Sequence, residues 1–487
     1  MNDMKIAVVG GGTAGFVSAL ILKTTFPTYQ VDIIRSEKIG TIGVGEGTTE
    51  HWAAFMDHVG IQTADLITKC DATYKTGIMF EDWGDKPYLQ SVHSPFVVDH
   101  LGLPAAYAKL IGEKCDPRDM TGDYLWDNRV PFNKFMDERP NDTGVSQYHF
   151  NTAKLNDYLT DFARSNGCNI INDEIVDVVI NDQGIDYITG EIATYNYDFY
   201  IDCTGFSRLL ISKLGANWNS YSKYLKVNEA IVFPTPEEEE IPVWTLAKAM
   251  DAGWMFRIPV QGRKGNGYIF DSNFITADKA QAEVEAYLGY SVEVAKHIKF
   301  DPGAIDRPWI KNVCAIGLSA SFVEPLEASS IGTSINQAFL LAQRIVNYNE
   351  QSINRYNVEV NAIMENIRDF VALHYVSNRR DTPFWREIAN TPLPDTLKEN
   401  LQMWKTRLPI ADDFTSYTKK VLFNEYNVAL VMHGLDLFDT DSILSQYNML
   451  PDGAKEHVDQ SCRFKIDFDK SKTIPHKLML ELLRHLV

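Results

Sequence analysis

Three glycines near the amino terminus have the spacing that cradles a pyrophosphate. Gly10, Gly12 and Gly15 form a G-x-G-x-x-G pattern that follows the apolar run Ile6 to Val9 and precedes a helical segment. The first glycine of such a unit makes a tight turn, the second lets backbone approach the phosphates, and the third lets the helix pack on the strand. The free N–H groups and dipole of the helix start favour an anion. The pattern therefore predicts a dinucleotide site.

The end of the second predicted strand is where such sites usually hold the adenosine ribose through an acidic side chain. Here Arg35 follows the strand Val31 to Ile34, and the nearest acid after it is Glu37. Glu37 replaces the usual acid through a local bulge, or the ribose is held in another way, or Arg35 binds a 2′-phosphate as in NADP proteins. The residues alone leave these alternatives open.

Two later strands favour FAD over a nicotinamide alone. The runs Tyr200 to Gly205 and Asn312 to Gly317 each read as an apolar strand that ends in a glycine turn. Three strand ends that deliver backbone to one site suit a large cofactor, because parallel sheets bind ligands outside their carboxyl ends. The sequence has no second G-x-G-x-x-G, so we expect reducing equivalents to come from a separate reductase.

These strand ends need an α/β framework to bring them together. With 487 residues the chain should form two or three packed units, at roughly 100–200 residues each. Helical spacing dominates later, in Ser334 to Asn349, Tyr356 to Tyr375 and Pro394 to Lys405. The order predicts a mixed α/β cofactor domain followed by a mostly helical region, with a junction near residue 350.

Composition and charge exclude several classes of protein. Apolar residues make up 45% and charged residues 23%, as in globular rather than disordered or fibrous chains. The net charge of −19, from 46 basic and 65 acidic residues, disfavours binding to nucleic acid. No apolar run reaches the roughly 18–20 residues that cross a bilayer, and no secretory leader is expected before the first strand. The six cysteines lack C-x-x-C spacing, which predicts no metal site and suits a reducing cytoplasm.

Four stretches of the sequence carry a joint signal: GGGTAG at 10–15, GVGEGT at 43–48, ATYKTG at 72–77 and GWMFRIP at 253–259. Together they resemble the flavin-dependent halogenases typified by the tryptophan halogenases, and the similarity extends from residue 4 to about residue 390. The resemblance implies an FAD-binding, Rossmann-type, aromatic-hydroxylase-like α/β domain over residues 1–350, with an additional β-sheet and interleaved substrate-facing segments. It implies a mostly helical substrate domain over residues 351–487. It also implies a halogenase that uses reduced FAD, dioxygen and chloride, bromide or iodide to make hypohalous acid.

The resemblance implies two catalytic side chains. Lys75 would receive hypohalous acid, either by hydrogen bonding to it or by losing a proton and forming a haloamine. Without the resemblance, a solvated surface lysine is the ordinary expectation. Glu327 would face the lysine across the substrate and act as general base for the σ-complex. Judged alone, it is an acid in a first helical turn, stabilised by the helix dipole.

Two further pairs follow from the resemblance. Ser329 and Ser330 would offer backbone N–H groups to a halide at a helix start, whereas judged alone they would simply cap the helix. Trp254 and Phe256 would wall the flavin off from the substrate. Phe256 stands where the family signature W-x-W-x-I-P has its second tryptophan, and Ser330 stands where the family usually has glycine. Preference among the halides is therefore left open.

The resemblance also implies cofactor and substrate contacts. FAD would contact Gly10, Gly12, Thr13, Ala14, Gly15, Glu37, Gly45, Gly317 and Ile331. His93 and Phe96 would line the substrate cavity, whereas His374 and Tyr375 would be structural. We expect a small, electron-rich arene such as an indole or phenol as substrate, and a cytoplasmic homo-oligomer. A flavin-dependent aromatic monooxygenase and a non-catalytic flavin-binding protein are the two alternatives.

Overall fold

The computed structural model describes residues 3–40, 45–91, 102–131, 146–414, 421–460 and 473–485. Its strands are, in chain order, β1 (Lys5–Val9), β2 (Gln30–Arg35), β3 (Glu46–Gly47), β4 (Thr73–Lys75), β5 (Gly77–Glu81), β6 (Tyr88–Ser91), β7 (Arg129–Pro131), β8 (Gln147–Phe150), β9 (Asn169–Asn172), β10 (Ile175–Asn181), β11 (Gly184–Gly190), β12 (Thr194–Tyr195), β13 (Phe199–Asp202), β14 (Trp218–Ser220), β15 (Glu229–Pro236), β16 (Trp244–Met250), β17 (Gly253–Val260), β18 (Arg263–Phe270), β19 (Lys296–Lys299), β20 (Gly303–Ile305), β21 (Trp309–Ile310), β22 (Val313–Ala315), β23 (Ser321–Phe322) and β24 (Thr473–Pro475).

The described α-helices are α1 (Thr13–Thr25), α2 (His51–Val59), α3 (Thr63–Lys69), α4 (Gly102–Gly112), α5 (Pro117–Thr121), α6 (Asp123–Trp126), α7 (Thr152–Ser165), α8 (Ala277–Leu288), α9 (Ser329–Ala342), α10 (Glu350–His374), α11 (Pro383–Ile388), α12 (Asp395–Trp404), α13 (Glu425–Gly434), α14 (Thr440–Asn448), α15 (452–460) and α16 (His476–His485). Short 3₁₀ turns lie at Gly205–Ser207, Ile211–Leu214, Gly317–Ser319, Pro325–Glu327 and Ala411–Asp413.

A six-stranded sheet, in the order β21-β22-β13-β1-β2-β9, builds one side of the molecule. β1 pairs in parallel with both β2 and β13, and β13 pairs in parallel with β22. Val9 is aligned with Ile34 on one side and with Asp202 on the other, so these strands end at one edge. The turns that follow them are neighbours there, as a dinucleotide site requires. The predicted Rossmann-type α/β framework is confirmed.

A seven-stranded sheet, in the order β19-β15-β18-β17-β16-β5-β6, is the additional sheet expected from the sequence. Its described pairs are antiparallel except for β16 and β5. Gly253 lets β17 lie close to β18, because an added Cβ would be 2.0 Å from the carbonyl oxygen of Ile269. Trp254 and Phe256 follow on β17, two residues apart and therefore on one face of the sheet.

A small three-stranded sheet, β3-β8-β4, connects the amino-terminal region to the segment that carries Lys75. Glu46 on β3 is aligned with Phe150 on β8, and Lys75 on β4 is aligned with Gln147. The residues after β3 and the end of β4 are therefore held on either side of β8. This pairing sets the position of Lys75 through backbone hydrogen bonds rather than through a surface loop.

Two long helices begin earlier than the sequence pattern indicated. α9 begins at Ser329 rather than Ser334, and α10 begins at Glu350 rather than Tyr356. Asn349 caps α10, because its side chain accepts a hydrogen bond from the N–H of Ser352 at 3.0 Å. Hydrophobic periodicity misses first turns of this kind, because caps and serines contribute little to an apolar stripe.

The core is continuous across the described elements. One apolar cluster includes Val8 of β1, Phe80 of β5, Trp254 of β17, Val371 of α10 and Met432 of α13. The helices after residue 350 therefore pack on the same core as the sheets, and a domain boundary at residue 350 stays a prediction. Among the described helices, none is both long enough and apolar enough to span a membrane.

Candidate active site

A cavity of about 950 Å³ opens at the edge where β1, β2 and β13 end. Its lining includes many of the residues selected from the sequence: Gly10, Gly12, Thr13, Ala14, Glu37, Gly45, Gly317, Ile331, Ser330, Trp254 and Phe256. Four others do not line it: Gly15, Lys75, Glu327 and Ser329. His93 and Phe96 lie outside the described residues. The fold thus brings the expected cofactor segments together around one space.

The glycine turn fits a dinucleotide. Gly10 has a φ of +125°, and an added Cβ there would be 2.1 Å from the carbonyl oxygen of Cys203. An added Cβ at Gly15 would be 2.0 Å from the carbonyl oxygen of Gly10, so this glycine is needed for helix packing. At Gly12, in contrast, a Cβ would meet no described atom within 4 Å. Gly12 caps α1 without a side-chain hydrogen bond, which leaves N–H groups for phosphates. The pyrophosphate of FAD matches this arrangement.

Arg35 packs beneath the same turn. An added Cβ at Gly11 would be 2.6 Å from the Cβ of Arg35, and an Arg35 N–H group donates to the hydroxyl of Thr160 at 3.1 Å. Glu37 is largely exposed and lies 3.5 Å from the guanidinium. Both side chains border the cavity, and the choice between them as the ribose contact stays a prediction.

Lys75 is buried, with only 2% of its surface exposed. Its Nζ donates a hydrogen bond to the carbonyl oxygen of Thr48 at 2.7 Å. Burial lowers the pKa of this lysine to about 8, while the negative charges of Glu327 and Glu50 act in the opposite direction. Lys75 therefore differs from the solvated lysine that its residue type alone would suggest, because the neutral amine is accessible near physiological pH.

Glu327 ends a short 3₁₀ turn and is also 2% exposed. Its Oε1 lies 2.7 Å from Nε2 of His374, whose side chain is fully buried. An added Cβ at Gly47 would be 3.4 Å from Cδ of Lys75 and 3.5 Å from Cβ of Ala328. The stem of Lys75 and the residue after Glu327 therefore flank the same glycine. The two residues expected to be catalytic are buried in one neighbourhood.

The start of α9 has the features of an anion site. Ala328 adopts a left-handed conformation with φ of 51° and caps the helix without a side-chain hydrogen bond. Ser330 borders the cavity, whereas Ser329 is buried. Free N–H groups and the positive end of the helix dipole meet at these two residues. Such a start can bind a halide, and that role stays a prediction.

Trp254 and Phe256 form an aromatic pair at the cavity, and their role as a wall in front of Lys75 and Glu327 stays a prediction. Trp254 and Phe256 are buried, border the cavity, and have ring centroids 6.2 Å apart. Gly267 is aligned with Phe256 on the neighbouring strand, and an added Cβ there would be 2.5 Å from the phenylalanine ring. Glycine at 267 therefore leaves the space that the ring of Phe256 occupies.

Several buried or partly buried polar residues of this region were not singled out from the sequence. Glu324 accepts a hydrogen bond from the hydroxyl of Tyr375 at 2.9 Å, and burial raises the pKa of Glu324 to about 8. Glu46 borders the cavity, and burial raises its pKa to about 7. His149 lies between the hydroxyls of Thr73 and Thr245, at 3.0 Å and 2.9 Å. Glu46 lies inside the GVGEGT stretch noted above, whereas only long-range contacts reveal Glu324 and His149.

Metal chemistry has no evident centre in the part of the chain that the structure describes. No group of three or more histidine, cysteine, aspartate or glutamate side chains is placed there to hold an ion. The described cysteines, Cys70, Cys115, Cys168, Cys203 and Cys314, are free thiols. The cavity is bordered instead by the backbone of the glycine turns and by polar side chains such as Arg35, Glu37 and Ser330.

Comparisons with known proteins agree on one family. Residues 5–445 match the tryptophan halogenase family. The chain is 32% identical over 452 residues to the 7-chloro-L-tryptophan 6-halogenase KtzR of Kutzneria sp. (strain 744), which covers 85% of this chain and 87% of the relative. It is 31% identical to the tryptophan 6-halogenase SttH of Streptomyces toxytricini, over 85% and 86% of the two chains.

Solved structures give the same picture. The crystal structure of SttH superimposes with a TM-score of 0.88 at 26% identity, covering 99% of this chain and 100% of that one. A tryptophan halogenase from Shewanella frigidimarina NCIMB 400 superimposes with a TM-score of 0.91 at 25% identity, covering 99% and 98%. The similarity thus includes the carboxyl-terminal region, beyond the motifs noted in the sequence.

Proposed function

Because this chain belongs to the tryptophan halogenase family and is a flavin-dependent halogenase, we propose that it halogenates a small, electron-rich arene such as an indole or a phenol. In this proposal Lys75 delivers the halogen and Glu327 removes the displaced proton. FAD and a halide are its cofactor and co-substrate, and a separate flavin reductase supplies the reduced cofactor.

The cofactor's part is to supply hypohalous acid from dioxygen and halide when reduced FAD is bound. The turn at Gly10, Gly12 and Gly15 would hold the pyrophosphate, with Gly317 and Ile331 bordering the same cavity. The N–H groups at Ser329 and Ser330 would hold the halide at the start of α9. These contacts would position the flavin and the halide at one end of the cavity. No protein side chain would react at this stage.

Trp254 and Phe256 would keep the arene away from the flavin while a small oxidant passes. Both rings are buried in the sheet, so they form a rigid wall rather than a mobile cover. A substrate in direct contact with the flavin would be open to hydroxylation. A wall that excludes the arene therefore favours transfer of halogen over transfer of oxygen.

Lys75 would receive the oxidant beyond the wall. With a pKa of about 8, the side chain is present both as ammonium and as amine near neutral pH. The ammonium can donate a hydrogen bond to hypohalous acid and make its halogen more electrophilic. The amine can instead form an N–halogen bond, and the departing hydroxide with the amine proton leaves as water. In either form the halogen is presented by one nitrogen.

Glu327 would complete the substitution. When the arene's electron pair attacks the halogen, the bond from halogen to oxygen or to the Lys75 nitrogen breaks and leaves its electron pair on that atom. The ring carbon then carries both halogen and hydrogen. A carboxylate oxygen of Glu327 then takes the proton, and the C–H electron pair returns to the ring. Burial of the carboxylate makes its charge effective near a positively charged σ-complex, because the surrounding dielectric is low.

The observation that supports this proposal most is the burial of an amine and a carboxylate in one neighbourhood, where the charge of Glu327 acts on Lys75. A direct test mixes the protein with FAD, a flavin reductase, each halide and a panel of indoles and phenols. A product in which one halogen replaces one hydrogen agrees with the proposal. A gain of one oxygen would favour a monooxygenase, and tightly bound flavin without product would favour a non-catalytic flavin-binding protein.

We further propose the arrangement of the whole protein. Residues 1–350 would form the FAD-binding part with interleaved substrate-facing segments, and residues 351–487 would supply most of the helical substrate side. A cytoplasmic homo-oligomer fits the scattered free cysteines and the frequency of symmetric oligomers. Light scattering on the purified protein measures the oligomeric state, and a monomer would contradict this part.

A further inference from the structure

The carboxylate of Glu327 is in contact with a buried imidazole that the sequence pattern marks only as structural. His374, at the end of α10, is fully buried and places Nε2 2.7 Å from Oε1 of Glu327. The two atoms are close without the alignment of a good hydrogen bond, so each keeps the capacity for a better one. Catalytic hydrogen bonds are often poorly aligned before substrate binds and tighten afterwards.

The ring of His374 is fixed from its other side. Its Nδ1 lies 3.1 Å from the hydroxyl of Tyr88, and its ring stacks on Phe80 with centroids 4.5 Å apart and planes 13° apart. Burial holds the pKa of Tyr88 well above its ordinary value, so the hydroxyl keeps its proton. When that hydroxyl donates to Nδ1, the imidazole proton is on Nε2, which faces Glu327.

This geometry places the imidazole N–H beside one oxygen of the proposed base. We propose that His374 is a positioning residue: Nε2–H holds Oε1 of Glu327, so that Oε2 is directed at the σ-complex proton. The inference rests on the proposed function, because His374 can position the general base only if Glu327 is that base. In the step itself the C–H bond breaks, its electron pair returns to the ring, and the proton goes to Oε2.

If His374 were purely structural, its substitution would affect folding but not which step of the reaction is slowest. If His374 directs Glu327, removing its N–H slows proton removal more than any other step. An arene with deuterium at the carbon that is halogenated then reports the change. In the unaltered protein we expect halogen transfer to be slower than the proton removal that follows it, and therefore no primary isotope effect. When Glu327 is no longer held in position, C–H cleavage becomes the rate-limiting step, and a primary isotope effect appears.

Two substitutions of His374 distinguish the loss of its N–H donor from the change in its side-chain volume. His374→Leu removes the N–H, and His374→Gln keeps an amide donor on the side of Nε2. We expect His374→Leu to lower kcat on the order of 10²-fold with little change in KM, and to show the isotope effect. We expect His374→Gln to restore most of kcat and to abolish the isotope effect.

A matched pair at another histidine of the helical region is the control. His433 lies 3.7 Å from the Sγ of Cys115, and His433→Leu and His433→Gln should show no isotope effect. Tyr88→Phe is the second test, because it removes only the hydroxyl that orients the imidazole. It should lower kcat and give a smaller isotope effect. FAD titration and thermal melting verify that each variant is folded.

The outcomes distinguish this inference from the proposed function. If the unaltered protein makes no halogenated arene, the proposed function fails. If it does, and folded His374→Leu keeps its kcat without an isotope effect, only the role of His374 is overturned. Equal behaviour of His374→Leu and His374→Gln would also overturn it. Should His374→Leu fail to fold, an unchanged kcat and isotope effect in Tyr88→Phe would do the same.

Discussion

The amine of Lys75 occupies an environment in which lysine is rare. Its carbon chain passes beside Gly47, and its nitrogen donates to the carbonyl of Thr48. Few side chains other than lysine combine that reach with a nitrogen that can be charged or neutral. The buried carboxylate of Glu327 opposes the loss of charge that burial favours. At the residue scale, function rests on buried ionisable groups whose neighbours set their charge.

Glu324 gives a prediction on stability that does not depend on turnover. Its pKa is raised by burial from 4.5 to about 8 in the folded protein. Between these values the folded state keeps a proton that the unfolded chain has lost, so the free energy of unfolding falls as pH rises. Glu324→Gln removes this dependence. We expect its stability relative to the unaltered protein to increase by up to about 1.4 kcal/mol per pH unit.

Urea unfolding of the FAD-saturated protein at pH 5.5, 7 and 8.5 measures this difference, and Glu365→Gln, at an exposed position of α10, is the matched control. A difference between Glu324→Gln and the unaltered protein that is constant across these pH values would show that Glu324 is ionised in the folded state.

Ser330 gives a prediction on halide choice. Its side chain borders the cavity at the start of α9, where the N–H groups of the helix are directed. Ser330→Gly enlarges the space beside the proposed halide, so we expect the product ratio to shift several-fold toward bromide when bromide and chloride compete at equal concentration. Ser352→Gly, at the start of α10, is the control. An unchanged ratio in Ser330→Gly would place the halide elsewhere.

At the scale of elements, the strand–turn–helix unit at the amino terminus was predictable because its signal is local. The apolar run, the glycine spacing and the helix that follows lie within one short stretch, and the structure has β1 and α1 there. The starts expected for α9 and α10 were too late in the sequence. The left-handed Ala328 sets the start of α9, and the capping residue Asn349 sets the start of α10. Periodicity detects the packed middle of a helix and misses such ends.

The glycine turn allows folding and cofactor binding to be tested separately. Gly12 has φ of −86°, which alanine tolerates, and an added Cβ would meet no described atom. We expect Gly12→Ala to keep the melting temperature of the apoprotein and to weaken FAD binding. At Gly15 the added Cβ would meet the Gly10 carbonyl, so Gly15→Ala should cost about 1–3 kcal/mol of stability.

Differential scanning fluorimetry and flavin-fluorescence titration measure the two properties of these variants. If Gly12→Ala binds FAD as tightly as the unaltered protein, the pyrophosphate does not approach this turn.

At the scale of the whole molecule, the site depends on contacts that no local pattern contains. His374 and Tyr88 are 286 positions apart in sequence, yet their side chains meet beside Glu327. The sequence located Lys75 and Glu327 through motifs of a resembling family, but it could not show that α10 ends against Glu327. The motifs identified Lys75 and Glu327. They could not identify the partners of these two residues, because those contacts depend on how the sheets and helices pack around one core.

The proposed aromatic wall of Trp254 and Phe256 gives a prediction that concerns the cofactor cavity and the region of Lys75 together. Phe256→Ala would shorten the wall and let oxidant escape or reach the arene by another route. We expect less halogenated product per dioxygen consumed, and more hypohalous acid captured by a trap in solution. Truncation of a buried phenylalanine also costs about 3–5 kcal/mol of stability, so the assay belongs well below the melting temperature. Phe274→Ala, at an exposed ring, is the control. Unchanged coupling in Phe256→Ala would contradict a separating wall.

The most direct measurement is the rate of carbon–halogen bond formation in Lys75→Met. Methionine keeps the length and removes the nitrogen, and Lys264→Met is the control, because Lys264 is a buried lysine paired with Glu238 instead. With FAD, reductase, bromide and an accepted arene, we predict that Lys75→Met still binds FAD and consumes dioxygen. Its halogenation rate should fall on the order of 10²–10⁴-fold, while Lys264→Met stays near the unaltered rate. Halogenation at the original rate in folded Lys75→Met would contradict the account.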